Sequence, residues 1–151
     1  MTKGVHMRVL FALAAVLLVA GCGSSEPYRE AKGAGGVGYT DSKVQPARAE
    51  VGFQGDDDMA PERIYEFALL RAAQVTLDAG FDWFYVVPPE GAPSAAPPSP
   101  QAGRYGDFTP HYDPEQRFVT LDIAMGSGKH PPRRPGAFDA RDIRKTLEHL
   151  K

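Results

Sequence analysis

Between Pro61 and Gly80 the apolar residues Ile64, Phe67, Ala68, Ala72, Val75 and Ala79 recur at spacings of three and four. That period places them on one stripe of an α-helix, and Tyr65, Leu69, Leu70 and Leu77 widen it. A stripe of this width belongs to a helix covered by other elements, so 61–79 is expected to be the main buried helix. Proline suits its first turn, where the missing N–H would have no partner anyway. Asp56, Asp57, Asp58 and Glu62 sit near the positive end of the helix dipole and are expected to cap it. Gly80 supplies a left-handed stop.

Period-two patterns flank this helix. Ala49, Val51 and Phe53 alternate with Glu50, Gly52 and Gln54, which predicts a half-buried strand over 48–54. Residues 81–87 are dense in aromatic and β-branched side chains, with both faces apolar, which predicts a strand in the interior of its sheet. Trp83, in this most apolar strand, is expected to lie in the core. Val119, Leu121, Ile123 and Met125 mark a third strand over 117–125. Ala140, Ile143, Leu147 and Leu150 mark a final helix over 140–150, with Asp139 as its N-cap. Between the second and third strands, 88–100 holds six of the fourteen prolines. The stretch 88–114 is therefore expected to be a disordered or partly extended loop. The order strand-helix-strand-strand-helix predicts one α+β domain over 46–151. It consists of a three-stranded mixed or antiparallel sheet with two helices on one face. A core this small is marginal, and pairing through a sheet edge or docking on a membrane or partner would help it.

The N-terminal segment has a different character. Lys3 and Arg8 precede an apolar run from Val9 to Val19, and Met7 is a plausible start. The run is shorter than the roughly 20 apolar residues needed to span a bilayer, so it reads as a targeting segment. It ends in Val19-Ala20-Gly21-Cys22. This resembles the processing site of bacterial lipoproteins, where the preceding segment is removed and the cysteine is acylated. The resemblance implies a signal peptide over 1–21, a lipid anchor on Cys22, and a membrane as one partner. Gly23, rather than aspartate, after the cysteine implies the outer membrane, facing the periplasm. Residues 22–45 are polar and glycine-rich and are expected to form a flexible tether. Processing removes two basic residues and no acidic one, moving the formal charge from −2 to −4. That argues against nucleic-acid binding. With its single cysteine acylated, the chain has neither a disulfide nor a cysteine metal site.

Motifs that would carry chemistry are fragmentary. Gly33, Gly35 and Gly38 fit the dinucleotide spacing, but no buried strand precedes them and no helical pattern follows. Gly126-Ser127-Gly128-Lys129 lacks the first glycine of a phosphate loop and has His130 where the motif needs Ser or Thr. His111, His130 and His149 lie in separate segments without zinc-ligand spacing. The aspartates lack the spacing of a calcium loop, and no nucleophile elbow occurs. No catalytic residue, metal or cofactor is expected. Lys129, Arg133 and Arg134 form the one basic patch. It could touch anionic head groups or cell-wall polymer, but a solvated loop is the better account, because three or four charges give only modest attraction under physiological screening.

Four pieces then occur in order: Gly38-Tyr39-Thr40-Asp41, Phe53-Gln54-Gly55, Arg71-Ala72-Ala73-Gln74-Val75-Thr76, and Gly80-Phe81-Asp82-Trp83-Phe84. Together they resemble a family of small, uncharacterised bacterial lipoproteins carrying Gly-Tyr-Ser-Asp, Phe-x-Gly-Asn, Arg-Ala-Ala-Glu-x-Thr and Gly-Tyr-Asp-x-Phe. Thr40, Asp56, Gln74 and Phe81 depart from that pattern, and Gln74 could not act as a base. The resemblance implies location and fold, not mechanism. Packing accounts for most of these positions, with Arg71 expected to pair with a carboxylate such as Asp82. Tyr39 and Asp41 stand in an otherwise featureless stretch and are candidate interaction residues, expected either to dock back on the domain or to bind a partner. The expected role is non-enzymatic binding or scaffolding in the envelope. The alternatives are an accessory lipoprotein of a transport or secretion machine, which would have a protein partner, and an envelope hydrolase or transferase.

Overall fold

A computed structural model describes residues 28–88, 111–113, 115, 117–128 and 136–151. The elements run β1 (Gly38–Gln45), β2 (Arg48–Gln54), α1 (Pro61–Asp78), β3 (Trp83–Val86), β4 (His111–Asp113), β5 (Phe118–Gly126), β6 (Ala137–Asp139) and α2 (Ala140–Leu147). A 3-10 turn, Glu148–Leu150, continues α2. Five strands lie side by side in the order β1-β2-β5-β3-β6, and every pair is antiparallel. Because β2 takes one edge of β5, both β3 and β4 lie along the other, β4 beside residues 118–120 and β3 beside 123–126.

The α+β class holds, but the sheet is larger than three strands. The three legible strands are its centre, and β3 sits between β5 and β6. The tether expected to reach residue 45 stops earlier, because 38–45 is β1, joined to β2 through the turn at Pro46 and Ala47. Likewise β4 falls within the segment expected to be a loop up to 114. The rest of the proline-rich stretch, 89–110, lies outside the described residues, as do 1–27.

Alternation decides which face is core. Ala49, Val51 and Phe53 of β2, Val119, Leu121, Ile123 and Met125 of β5, and Phe84 and Val86 of β3 join α1 and α2 in one buried cluster. Both helices therefore cover the same face. In α1 burial runs unbroken from Ile64 to Leu70 and resumes at Ala72, Ala73, Val75 and Thr76. So wide a face needs two partners: the sheet covers one side and α2 the other.

The ends of α1 follow the chain's punctuation unevenly. At its C-terminus Gly80 takes φ +81°, Gly80 N donates to Leu77 O and Phe81 N to Thr76 O, each at 3.0 Å. This is the paired bonding of a Schellman stop. At its N-terminus the aspartates do not cap. The N-cap is Ala60, with no side-chain acceptor, and Asp56 instead accepts from Asp58 N at 3.3 Å within its own turn. Asp139 does cap α2, accepting from Arg141 N at 2.9 Å and Asp142 N at 3.1 Å.

Trp83 is not core. With Tyr85 it lies on the sheet face opposite the helices, half-buried, while Phe84 and Val86 point inward. Its ring rests on Gly126, where any added Cβ would collide with it, and its Nε1 donates to Ser127 O at 3.3 Å. Phe118 lies across Gly52 in the same way. On each of these pairs an aromatic ring covers backbone that the glycine leaves bare.

Candidate functional site

The side chains of β1 that face α1 are set by register. Tyr39, Asp41 and Lys43 stand opposite Phe53, Val51 and Ala49, the core-facing residues of β2. Across from them α1 presents Arg71, Gln74, Val75 and Asp78, which share one side of the helix by their spacing of three and four. The result is a clamp. Arg71 donates to Asp41 Oδ1 from Nε at 2.9 Å and from Nη2 at 2.6 Å. Its guanidinium carbon lies 4.2 Å from the centre of the Tyr39 ring, close enough for a cation–π contact. Arg71 Nη1 also reaches Gln74 Oε1 at 3.5 Å, and the Tyr28 hydroxyl donates to that same oxygen at 2.7 Å.

Tyr28 closes the cluster. Its ring centre is 5.2 Å from Tyr39, 5.3 Å from Phe67 and 6.2 Å from Phe53. The chain just after it crosses the edge of β1: Tyr39 N donates to Arg29 O at 2.7 Å and Ala31 N to Tyr39 O at 3.0 Å. Burial is the main reason the Tyr28 phenol is held well above its ordinary pKa of 10.0, and the nearby Arg71 charge only partly offsets it. A group raised in the folded state supports folding fully below its unfolded pKa and loses that support as pH climbs. The wild type is therefore expected to lose stability above pH 10, whereas Tyr28→Phe starts lower and falls less steeply there. Urea melts of both proteins between pH 8 and 11, with buffers spanning this range, check it; parallel curves would remove Tyr28 as the alkaline-sensitive group.

The pairing expected between Arg71 and Asp82 does not form. Asp82 instead accepts from Gly128 N at 2.7 Å and from Arg141 Nη1 at 2.8 Å. The Gly128 N–H, and then Arg141, hold its carboxyl below the ordinary value of 3.8. Asp82 thereby ties the start of β3 to the turn after β5 and the first turn of α2. The Gly126–Gly128 fragment is accordingly the end of β5 and the bend after it, with Gly128 at φ +83°. Gly33, Gly35 and Gly38 also take positive φ, in a turn that leads into strand β1 instead of a helix.

Of the residues singled out in the sequence, Tyr39 and Asp41 meet in the clamp. Cys22, Lys129, Arg133 and Arg134 lie outside the described residues. His149 is exposed on the 3-10 turn, and among the described residues no group of three His, Cys, Asp or Glu could hold a metal. Tyr28, Gln74, Lys43 and Asp78 were not foreseen as site residues. A lone tyrosine in a glycine-rich stretch was the only available signal for the first of them.

Beside the clamp, a groove of about 230 Å³ runs between β1 and the C-terminal half of α1. Ala49, Val75 and Ala79 form its apolar lining, with Lys43 and Asp78 at its exposed margin. The edge of β1 borders it. Tyr39 directs both its N–H and its C=O away from β2, so Asp41, of the same parity, does likewise, before the register of β1 shifts between Lys43 and Gln45. Among the described residues only Glu30 bridges that edge, at Tyr39. Asp41 and Arg71 neutralise each other and Tyr28 stays protonated at neutral pH. The arrangement braces β1 against α1 and leaves the β1 edge beside the groove.

The four ordered sequence pieces, from Gly38-Tyr39-Thr40-Asp41 to Gly80-Phe81-Asp82-Trp83-Phe84, converge on two places. Tyr39, Asp41, Phe53, Arg71 and Gln74 build or underlie the clamp, and Gly80 and Asp82 organise the end of α1 and the start of β3. No family model, curated protein or solved structure matches the chain.

Proposed function

We propose that this is a lipid-anchored envelope protein, held by Cys22 and facing the periplasm, whose domain binds or scaffolds rather than catalyses. The observation that carries the anchor is the run Val19-Ala20-Gly21-Cys22 behind an apolar segment too short to span a bilayer. Among the described residues no helix is long and apolar enough to cross a membrane. The binding role is supported by the clamp. Its strongest polar groups are satisfied by one another, and they fix β1 so that Asp41 offers backbone hydrogen bonds at the sheet edge.

That same edge favours a second reading, an accessory lipoprotein whose partner in a transport or secretion assembly adds a strand to β1. Crosslinking in the native envelope, with mass spectrometry of the adducts, distinguishes a partner on this edge from one elsewhere. For the anchor, Cys22→Ser is expected to abolish labelling by palmitate analogues and move the protein from the membrane fraction to the soluble one. A mutant that still sediments with membranes and still labels would overturn this reading.

A further inference from the structure

The fold begins much closer to Cys22 than a tether reaching residue 45 would allow. Tyr28 is built into the domain, stacked among Tyr39, Phe53 and Phe67 and bonded to Gln74, and the residues after it are bridged to β1. Only Gly23, Ser24, Ser25, Glu26 and Pro27 separate it from Cys22. Six residue steps, fully extended, span at most about 20 Å. A domain on so short a leash cannot sample the space above the membrane freely.

The surface around Tyr28 also suits a lipid surface. Arg29 and Lys32 are exposed on the segment that follows it. The Lys151 ammonium lies 5.7 Å from the Tyr28 ring, and the Arg63 guanidinium 5.8 Å from the ring of Phe67, its neighbour. Glu30 and Glu148 share the region, and Glu148 is paired with Lys151 at 3.3 Å. Attraction between these bases and anionic head groups falls off within about a Debye length, roughly 8 Å at physiological salt. It acts only on a surface already held close, which the leash ensures.

We propose that the domain rides against the leaflet that carries its anchor, with the Tyr28 end turned toward the head groups and the far end of β5 turned away. This rests on the lipid-anchor reading. It leaves the opposite end of the molecule, toward which β1 runs as far as Lys43, as the part a partner can approach from the periplasm.

The test uses the acylated protein, purified from membranes and reconstituted into phosphatidylethanolamine–phosphatidylglycerol vesicles doped with a head-group nitroxide lipid. The chain has one native cysteine, blocked once acylated, so an introduced cysteine is the sole labelling site. Lys32→Cys places a fluorophore four residues past Tyr28. Ser127→Cys places one just beyond the end of β5, far from Val119, which pairs with Phe53 beneath Tyr28. Seven residues along a strand separate Val119 from Gly126, about 23 Å. The label at 32 is expected to be quenched several-fold more than the label at 127. Inserting a Gly/Ser segment of about 30 residues between Ser25 and Glu26, with a root-mean-square reach of about 30 Å, is expected to erase most of the difference. Equal quenching at both sites, in protein whose mass confirms acylation, overturns the proposal and leaves the anchor standing. An insert that changes nothing overturns the role given to the leash. A mass without acyl chains on Cys22 overturns the anchor reading and the proposal with it.

Discussion

Phe84→Ala is expected to lower the stability of the domain by about 3–5 kcal/mol, and Trp83→Ala by only about 1 kcal/mol. The two residues are adjacent in β3 and both are large aromatics, so composition would rank the tryptophan first. Register reverses that order. Phe84 stands opposite Met125 and Phe138, is fully buried, and has the Phe138 ring centre 5.3 Å away. Removing it leaves a cavity beneath the helices that packed neighbours fill only in part. Trp83 stands opposite Gly126 and Asp139 on the other face and is only partly buried. Its loss uncovers Gly126 and one hydrogen bond to Ser127 O, both of which water can reach. Equilibrium urea unfolding of the two variants gives the comparison directly. A larger loss for Trp83→Ala would mean that the helix-covered face is not the one that holds the fold together.

The same pair shows what the sequence could and could not say. Where one face is apolar and the other polar, as in β2 and β5, alternation assigned both the strand and its inward side. In β3 both faces are apolar, so the pattern identified a strand but not its orientation. The side came from pairing with β5, which is non-local information. The edge strand β1 was hidden for a different reason. Its inward positions are Tyr39, Asp41 and Lys43, two of them charged, because the surface they face is the side of α1 that carries Arg71 and Asp78 and not the deep core. An edge strand that turns charges inward defeats a search for apolar period two. β4 and β6 are three residues each and carry no period at all. Tyr39 and Asp41 were visible as anomalies in a polar stretch. Their partners were not, since Tyr28, Gln74 and Arg71 meet them only through the parallel crossing at Glu30 and the packing of α1 on the sheet.

A chain beginning at Tyr28 is expected to fold with nearly the stability of the mature protein, and a chain beginning at Pro46 is expected not to fold. The second lacks what looks in sequence like part of a tether. Physically it lacks the partner of one whole edge of β2 and the Tyr28 and Tyr39 rings that cover Phe53 and Phe67. It also lacks the carboxylate facing a half-buried arginine, with Arg71 left beside α1 without Asp41. Each uncovered large apolar side chain forfeits roughly 1.5–3 kcal/mol of burial, and the orphaned charge and open strand edge add to that. The total is on the order of the 5–15 kcal/mol that stabilises a typical domain. Circular dichroism and urea melts of the two chains decide the matter. If the chain from Pro46 melted cooperatively near the midpoint of the longer one, β1 and Tyr28 would be an appendage and the leash to Cys22 would be long after all. If the chain from Tyr28 itself failed to fold, residues before Tyr28 would belong to the domain, and the distance from lipid to fold would be shorter still.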